Sequence, residues 1–325
     1  MPFDFDFVVE SFVIPIIRYP ILVLIPFFRA FDLNVSTLGG FLVVYSFVLN
    51  GAILCNNMFK LRGRWRAMSK LTHFKCVVTG GSSGLGKQIV LKLLARYDNA
   101  EIIIIDKIEP EIADARAKFF KCDLSKMEDL DLALASIRSV GQIDLLINNA
   151  GMRCKYGSLK QTTYQDMNQI FQVNVFAPIR LLQELSPNLS EERQFYAVTI
   201  ASALGINAPA RASSYGATKA SLIAFHESWT QEFSQADSVR SLLVLPGQLK
   251  TTMFEGFKPP KQFFAPLVEP DFLATRIINC CEIGLRGELY APFYANFMYA
   301  LKTSPYMVTW LGRFMSGMDS CLPHE

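Results

Sequence analysis

A tyrosine four residues ahead of a lysine is a pair built for moving protons. At Tyr215 and Lys219 the phenol and the ammonium share one face if the segment is helical, because side chains at i and i+4 are neighbours. Ser202 stands 13 residues upstream, at the end of an apolar run. A phenol with a reference pKa of about 10 is a poor base at neutral pH, and a nearby ammonium lowers that value. The spacing therefore predicts that Lys219 depresses the pKa of Tyr215. Ser202 would hydrogen-bond the oxygen that exchanges the proton. The same spacing recurs at Tyr156 and Lys160, but residue 143, thirteen before Tyr156, is isoleucine. Tyr156 reads as an ordinary loop tyrosine.

A second group of residues suits phosphate. The apolar run His73–Thr79 ends in Gly80, Gly81, Ser82, Ser83, Gly84, Leu85 and Gly86, and helical spacing follows over 87–96. Such a turn lets the backbone approach a pyrophosphate and meet its charge with a helix N-terminus. The spacing Thr79-Gly80-x-x-x-Gly84-x-Gly86 is one residue wider than the common G-x-G-x-x-G. Asp106 closes the β-branched run Glu101–Asp106, 20 residues after Gly86. An acid there bonds adenosine ribose hydroxyls and repels a 2′-phosphate. NAD(H) is thus the favoured cofactor, with NADP(H) the alternative because Lys107 sits beside the acid.

The elements that must position these groups alternate along the chain. Apolar runs at Phe119–Asp123, Ile143–Ile147, Phe195–Ile200 and Ser241–Leu245 are separated by helical patterns near 127–138, 164–185 and 215–234. Strands alternating with helices imply an α/β fold, a doubly wound parallel sheet covered on both faces.

Read in order, the motifs from about residue 73 to 255 resemble the short-chain dehydrogenase/reductase family. Thr79–Gly86 has that family's glycine spacing. Cys122-Asp123-Leu124 is similar to its adenine-contacting acidic segment, and Asn148-Asn149-Ala150-Gly151 to its NNAG motif. Asn174 lies where the family has a catalytic asparagine. Ser202, Tyr215 and Lys219 match its Ser, Tyr and Lys, and Pro246-Gly247 followed by Thr251 matches its P-G-x-x-x-T segment. The resemblance implies a Rossmann-type sheet and a cofactor held by Thr79, Gly80, Ser82, Ser83, Gly84, Leu85, Gly86, Asp106, Asp123, Asn149, Tyr215, Lys219, Pro246, Gly247 and Thr251. It implies catalysis by Ser202, Tyr215, Lys219 and Asn174. Hydride passing between a nicotinamide and a carbonyl carbon leaves an alkoxide that must gain a proton. Tyr215 would give it, Lys219 would also hold the nicotinamide ribose, and Asn174 would hold a water relaying protons to Lys219.

Composition adds a membrane. Of 325 residues, 51% are hydrophobic and only 19% charged, against about 25% charge in a typical soluble chain. Mean hydropathy is +0.24. The net charge of +3 is too mild for a nucleic-acid binder, and His73, His226 and His324 lie too far apart to suggest a metal site. Seven scattered cysteines fit a reducing compartment. Leu33–Phe59 carries no charge, and Leu38–Cys55 is almost wholly apolar, long enough to span a bilayer. Ser11–Phe28 is also apolar but interrupted by Pro15, Arg18, Pro20 and Pro26. Lys60, Arg62, Arg64, Arg66 and Lys70 follow the apolar helix, whereas Asp4, Asp6 and Glu10 precede it. That bias keeps the basic side, and all that follows, cytosolic.

The expected layout is a membrane anchor and basic juxtamembrane segment over 1–70, then a single dinucleotide-binding catalytic domain over 71–325. Phe254, Phe257, Pro259-Pro260, Phe263 and Phe264 mark a substrate loop at 252–270, and 289–318 is an apolar C-terminal region. Anchor followed by catalytic fold is the layout of the membrane-bound 17β-hydroxysteroid and retinol dehydrogenase branch. The expectation is an oxidoreductase acting on a lipophilic alcohol or ketone at the endoplasmic reticulum, lipid droplet or mitochondrial outer membrane. Expected partners are that substrate, the lipid membrane and a second copy in a homodimer. An NADPH-dependent reductase of acyl or long-chain-base ketones, and a non-catalytic membrane scaffold, are the rival readings. One span, two spans and a hairpin all satisfy residues 1–58.

Overall fold

Seven strands pair in parallel: β1 (Phe74–Thr79), β2 (Ala100–Asp106), β3 (Ala117–Lys121), β4 (Leu145–Asn148), β5 (Phe195–Ile200), β6 (Val239–Pro246) and β7 (Gly287–Ala291). Their order across the sheet is β3-β2-β1-β4-β5-β6-β7. The computed structural model describes residues 4–21, 23–24, 26, 35–153, 155–188, 191, 193–254, 257, 261–320 and 322. Ile102, Ile103, Ile104 and Ile105 of β2 are fully buried. Successive side chains of a strand face opposite sides, so a strand with no polar alternation must be covered twice. Val78, Ile102 and Ile104 pack in one core with Ile89 and Leu93 of the helix Gly84–Arg96 and Leu273 and Ile277 of the helix Pro270–Ile283. Val77, Ile103 and Ile105 pack in the other with Leu134 of Met127–Val140, Leu181 of Ala177–Leu185 and Trp229 of Ser213–Glu232.

Strand order reverses between β1 and β4. The loops leaving their C-terminal ends diverge to opposite faces, which opens the crevice where such sheets take ligands.

Two elements depart from the sequence reading. The helix Pro270–Ile283 was not anticipated, and the apolar region 289–318 begins inside the edge strand β7. The helical pattern over 164–185 is broken in the middle by a π turn, Gln172–Phe176, between Tyr164–Phe171 and Ala177–Leu185. Pro178 explains the break, since it has no N–H for the carbonyl of Asn174 and its ring crowds that carbonyl.

The N-terminal chain is helical over Phe5–Val8, Val9–Val13 and Ile14–Arg18. Its middle part is another π turn just before a proline, Pro15. Phe27 and Phe28 of the proline-rich apolar stretch lie outside the described residues. The helix Val35–Lys60 follows, with Phe41 and Phe47 exposed at 70% and 80%. Its part Gly39–Lys60 is long and apolar enough to cross a membrane, and none of its apolar window is buried in the protein.

The basic segment after this helix is fastened to the sheet. Arg240, at the N-terminal end of β6, is only 2% exposed. Its guanidinium donates to the carbonyls of Gly284, Arg62 and Gly63 and lies 4.9 Å from the ring of Trp65. Trp65 in turn donates to the carbonyl of Glu282 and meets Tyr196 edge-on. Burial pushes the Arg240 pKa down to about 10, still charged at neutral pH. Arg240→Leu leaves these carbonyls without their donor and is expected to cost about 2–4 kcal/mol. Scanning fluorimetry should register a fall of roughly 5–10 °C in Tm; an unchanged Tm would deny the clamp any share in stability.

Candidate active site

The glycine turn comes first because its backbone has no slack. Gly80 and Gly84 sit at φ +66° and +52°, in the left-handed region where a Cβ is unfavourable. A Cβ on Gly86 would collide with the carbonyl oxygen of Gly80 and stand 2.6 Å from Asn149 Nδ2. Asn149 Nδ2 donates to the carbonyls of Thr79 (2.9 Å) and Gly80 (3.2 Å). Thr79 Oγ1 accepts from the amides of Asn149 and Ala150. The turn after β1 and the loop after β4 are thereby one bonded unit.

A single cleft runs along the C-terminal ends of the strands. From the glycine turn it is lined by Gly80, Ser83, Gly84 and Leu85, from the end of β2 by Asp106, and from beyond β3 by Asp123. Asn149 follows β4, Ser202 follows β5, and Pro246, Gly247 and Thr251 come from β6 and its exit loop. Tyr215 faces the same cleft from the helix Ser213–Glu232. Thr79, Ser82, Gly86, Asn174 and Lys219 lie behind the lining. Ser82 gives its amide to Asp106 Oδ2 at 3.1 Å. Asp106 also accepts from the amides of Lys107 (2.7 Å) and Ile108 (3.4 Å), so its carboxylate is fixed in direction. Burial raises the Asp123 pKa, but bonds from Ser125 and the charges of Lys107 and Lys126 outweigh it, and the net shift is downward.

The cluster of Ser202, Tyr215, Lys219 and Asn174 is shielded from solvent. Tyr215, Lys219 and Ser202 are 7%, 3% and 4% exposed, and Asn174 is fully buried. Ser202 lies close enough to the Tyr215 phenol to oppose the rise in its pKa, and it donates to the carbonyl of Pro246 at 3.3 Å. Lys219 Nζ donates to the carbonyl of Ile200 at 2.9 Å and lies 5.8 Å from the centroid of the Tyr215 ring. Lys219 is not among the groups that shift the phenol. Burial pushes Tyr215 up, with Tyr156 adding to the rise and Ser202 opposing it. Burial also pushes Lys219 down to about 8. Loss of solvent disfavours the charged form of both groups.

The Asn174 side chain is fully engaged with the protein. Its Oδ1 accepts from the amide of Met152 (2.8 Å), and its Nδ2 donates to the carbonyl of Met152 and to Thr218 Oγ1. The side chain is spent on holding the NNAG loop. Pro178 leaves the main-chain carbonyl of Asn174 without its i+4 helical donor.

Tyr156 is not an ordinary loop tyrosine. It is 3% exposed and packs with Ala212, Leu322 and Phe257. The Arg153 guanidinium lies 4.5 Å from its ring, and Arg153 Nε donates to the carbonyl of Met253. Phe254 meets the Tyr215 ring edge-on at 6.4 Å. Of these wall residues, only the phenylalanines gave a sequence signal; Arg153 and Met152 gave none. Pro259-Pro260 lies outside the described residues.

Residues 75–262 match the short chain dehydrogenase family. The chain belongs to the short-chain dehydrogenases. This dehydrogenase is 39% identical to the uncharacterized oxidoreductase TDA5 of Saccharomyces cerevisiae over 319 residues, 96% of this chain and 97% of that one. It is 31% identical to retinol dehydrogenase 10-B of Danio rerio over 272 residues, 74% of this chain and 78% of the other. A solved short-chain dehydrogenase from Streptomyces avermitilis superposes with a TM-score of 0.62 at 25% identity, covering 77% of this chain and 100% of its own. The chain is accordingly an NAD(P)-dependent oxidoreductase. Solved proteins of this fold hold NADH in one case and NADP in another. The cradle left by Gly80, Gly84 and Gly86, where added Cβ atoms would meet Ala150, Thr251 and the turn itself, fits a dinucleotide.

Tyr215→Phe is expected to abolish turnover, more than 100-fold in kcat on the general acid–base scale, and to leave nucleotide affinity nearly intact. Tyr156→Phe keeps the ring packed and should retain measurable turnover. Steady-state kinetics with fluorescence titration of the nucleotide separates the two; an active Tyr215→Phe enzyme would reassign the proton donor.

Proposed function

We propose that this dehydrogenase is membrane-anchored and moves hydride between NAD(P)(H) and the hydroxyl or carbonyl of a lipophilic substrate, a steroid, a retinoid or a fatty alcohol or ketone. The observation that carries the reading is the helix Gly39–Lys60, predominantly apolar and with none of its apolar window buried in the protein, joined through Arg240's clamp to the catalytic sheet. An unburied apolar helix of this length, about 33 Å at 1.5 Å per residue, matches a hydrocarbon core of about 30 Å. The similarity to a retinol dehydrogenase and the Phe254 ring in the cleft wall support the substrate class. Residues 71–325 act as one catalytic unit on the cytosolic side, at the endoplasmic reticulum, the lipid droplet or the mitochondrial outer membrane, and two copies pair as a homodimer.

The bound nicotinamide supplies or accepts the hydride. Ser202 fixes the substrate oxygen, and Tyr215 gives or takes the proton there. A phenol raised by burial is protonated at neutral pH, which suits donation to a forming alkoxide. Lys219, near its own titration range, holds the nicotinamide ribose and passes protons toward the Asn174 carbonyl. Thr79, Ser82 and Gly86 shape the turn that holds the pyrophosphate, with Gly80, Ser83, Gly84 and Leu85 facing it. Asp123 and Asn149 flank the adenosine side, and Pro246, Gly247 and Thr251 close the nicotinamide side. Asp106, its carboxylate held by three amides, repels a 2′-phosphate, so NAD(H) is preferred. Lys107 lines the same cleft and favours the second reading, an NADPH-dependent ketone reductase.

Titration of the purified protein with NADH and NADPH should give tighter NADH binding, and Asp106→Ala should erase the difference. Tighter NADPH binding would instead give Lys107 the upper hand. Carbonyl reduction should hold steady through neutral pH and fall at alkaline pH as the phenol is lost, while alcohol oxidation rises with pH. Paired pH profiles of kcat/KM check the sign. Membranes washed with carbonate should retain the full chain, and removal of residues 1–58 should loosen that hold. Release of the full chain by carbonate alone would sink the anchor.

A further inference from the structure

The first helical turn of the chain reaches the substrate side of the catalytic fold. The amide of Phe5 donates to the carbonyl of Phe263 at 3.0 Å, inside the loop that follows Thr251. The Phe5 ring meets Phe264 at 5.8 Å and Phe293 at 6.4 Å. Asp6 Oδ2 accepts from the amide of Phe293 at 2.8 Å, and Val9 is 2% exposed. Asp6 Oδ1 is buried with no hydrogen-bond partner among the described residues. An orphaned buried carboxylate oxygen is costly, so the contact made by the other oxygen has to repay it. Phe293 lies between Pro292 and Tyr294, and a Cβ on Gly247 would collide with both of these neighbours. Gly247 lines the cleft. A continuous run of contacts thus joins Asp6 to the nicotinamide side of the site.

We propose that Phe5 and Asp6 are positioning residues for the substrate: they strap the Phe263–Phe264 loop to the Phe293 segment and set the width of the apolar end of the cleft. The proposal rests on the reading of this chain as an oxidoreductase of lipophilic substrates. The cleft lining reaches Gly247 and Phe254; a large apolar alcohol would extend past them to this strapped edge and need it in place. A small alcohol reaches only Ser202 and Tyr215 and does not. Asp6 therefore acts through Phe293 and touches neither nucleotide nor reacting atoms.

The test uses the full-length chain in phosphatidylcholine nanodiscs, with Asp6→Ala, Asp6→Asn and Phe5→Ala. Asp6→Ala should speed amide exchange over 261–265 and 293–297 about tenfold, the equivalent of about 1.4 kcal/mol. Asp6→Asn keeps an acceptor oxygen and should stay within about twofold of the parent on that scale. With NAD+, Asp6→Ala should raise KM for retinol and hexadecanol about tenfold at unchanged kcat, with propan-2-ol kinetics and NADH affinity unmoved. If Asp6→Ala does not accumulate, Phe5→Ala removes only the ring contacts and is read the same way. Unchanged exchange at both segments overturns the strap. Faster exchange with equal losses for large and small alcohols overturns its role in substrate positioning. A parent chain inert toward every alcohol refutes the proposed function, and the exchange data then judge the strap alone.

Discussion

The backbone of the first strand-to-helix turn passes so close to itself that no side chain fits at Gly86. That approach lets Asn149 bond two carbonyls of the turn and lets Thr79 collect two amides from the loop after β4. The same loop continues to Gly151, where an added Cβ would lie 3.5 Å from both Asn174 Oδ1 and Lys219 Nζ. Glycine turn, NNAG loop and proton-transfer group are therefore braced by one set of contacts. A residue that pried the turn open would displace groups on both sides of the reversal in strand order.

The second controlling condition is dryness. Lys219 and Tyr215 share a helical face, but the lysine bonds a carbonyl and both groups are cut off from solvent. Burial raises one pKa and lowers the other, which drives both toward their neutral forms. On the proposed reading, a neutral phenol and a lysine close to losing its proton would make a short relay that needs no large charge separation in an apolar cleft.

The parts legible in the sequence were those whose requirement is local. Gly80 and Gly84 are demanded by positive φ, Asp106 by the end of a strand, and the isoleucines of β2 by a sheet covered on both faces. Tyr215 separated itself from Tyr156 through Ser202, also a short-range pattern. What stayed hidden depends on distant partners. β7 contains Gly287 and Glu288 and buries only Leu289 and Ala291, so its five residues gave no clear period. The burial of Tyr156 needs Leu322, and the bond of Asp6 needs Phe293, 287 residues away. The burial that shifts Tyr215 and Lys219 was hidden too, because spacing carries no information about solvent.

Arg240's clamp holds the chain just after Lys60 at the N-terminal ends of the strands, whereas Phe5 and Asp6 touch the opposite, C-terminal end. Between these points runs a helix of 26 residues, about 39 Å long, and Asn50 on it donates to the carbonyl of Arg18. A body hung from one joint swivels freely; a body pinned at two keeps little more than one axis of rotation. Pinned in this way, the mouth of the cleft keeps a fixed bearing to the exposed helix, so that whatever surface the helix meets also sets the direction from which a substrate arrives.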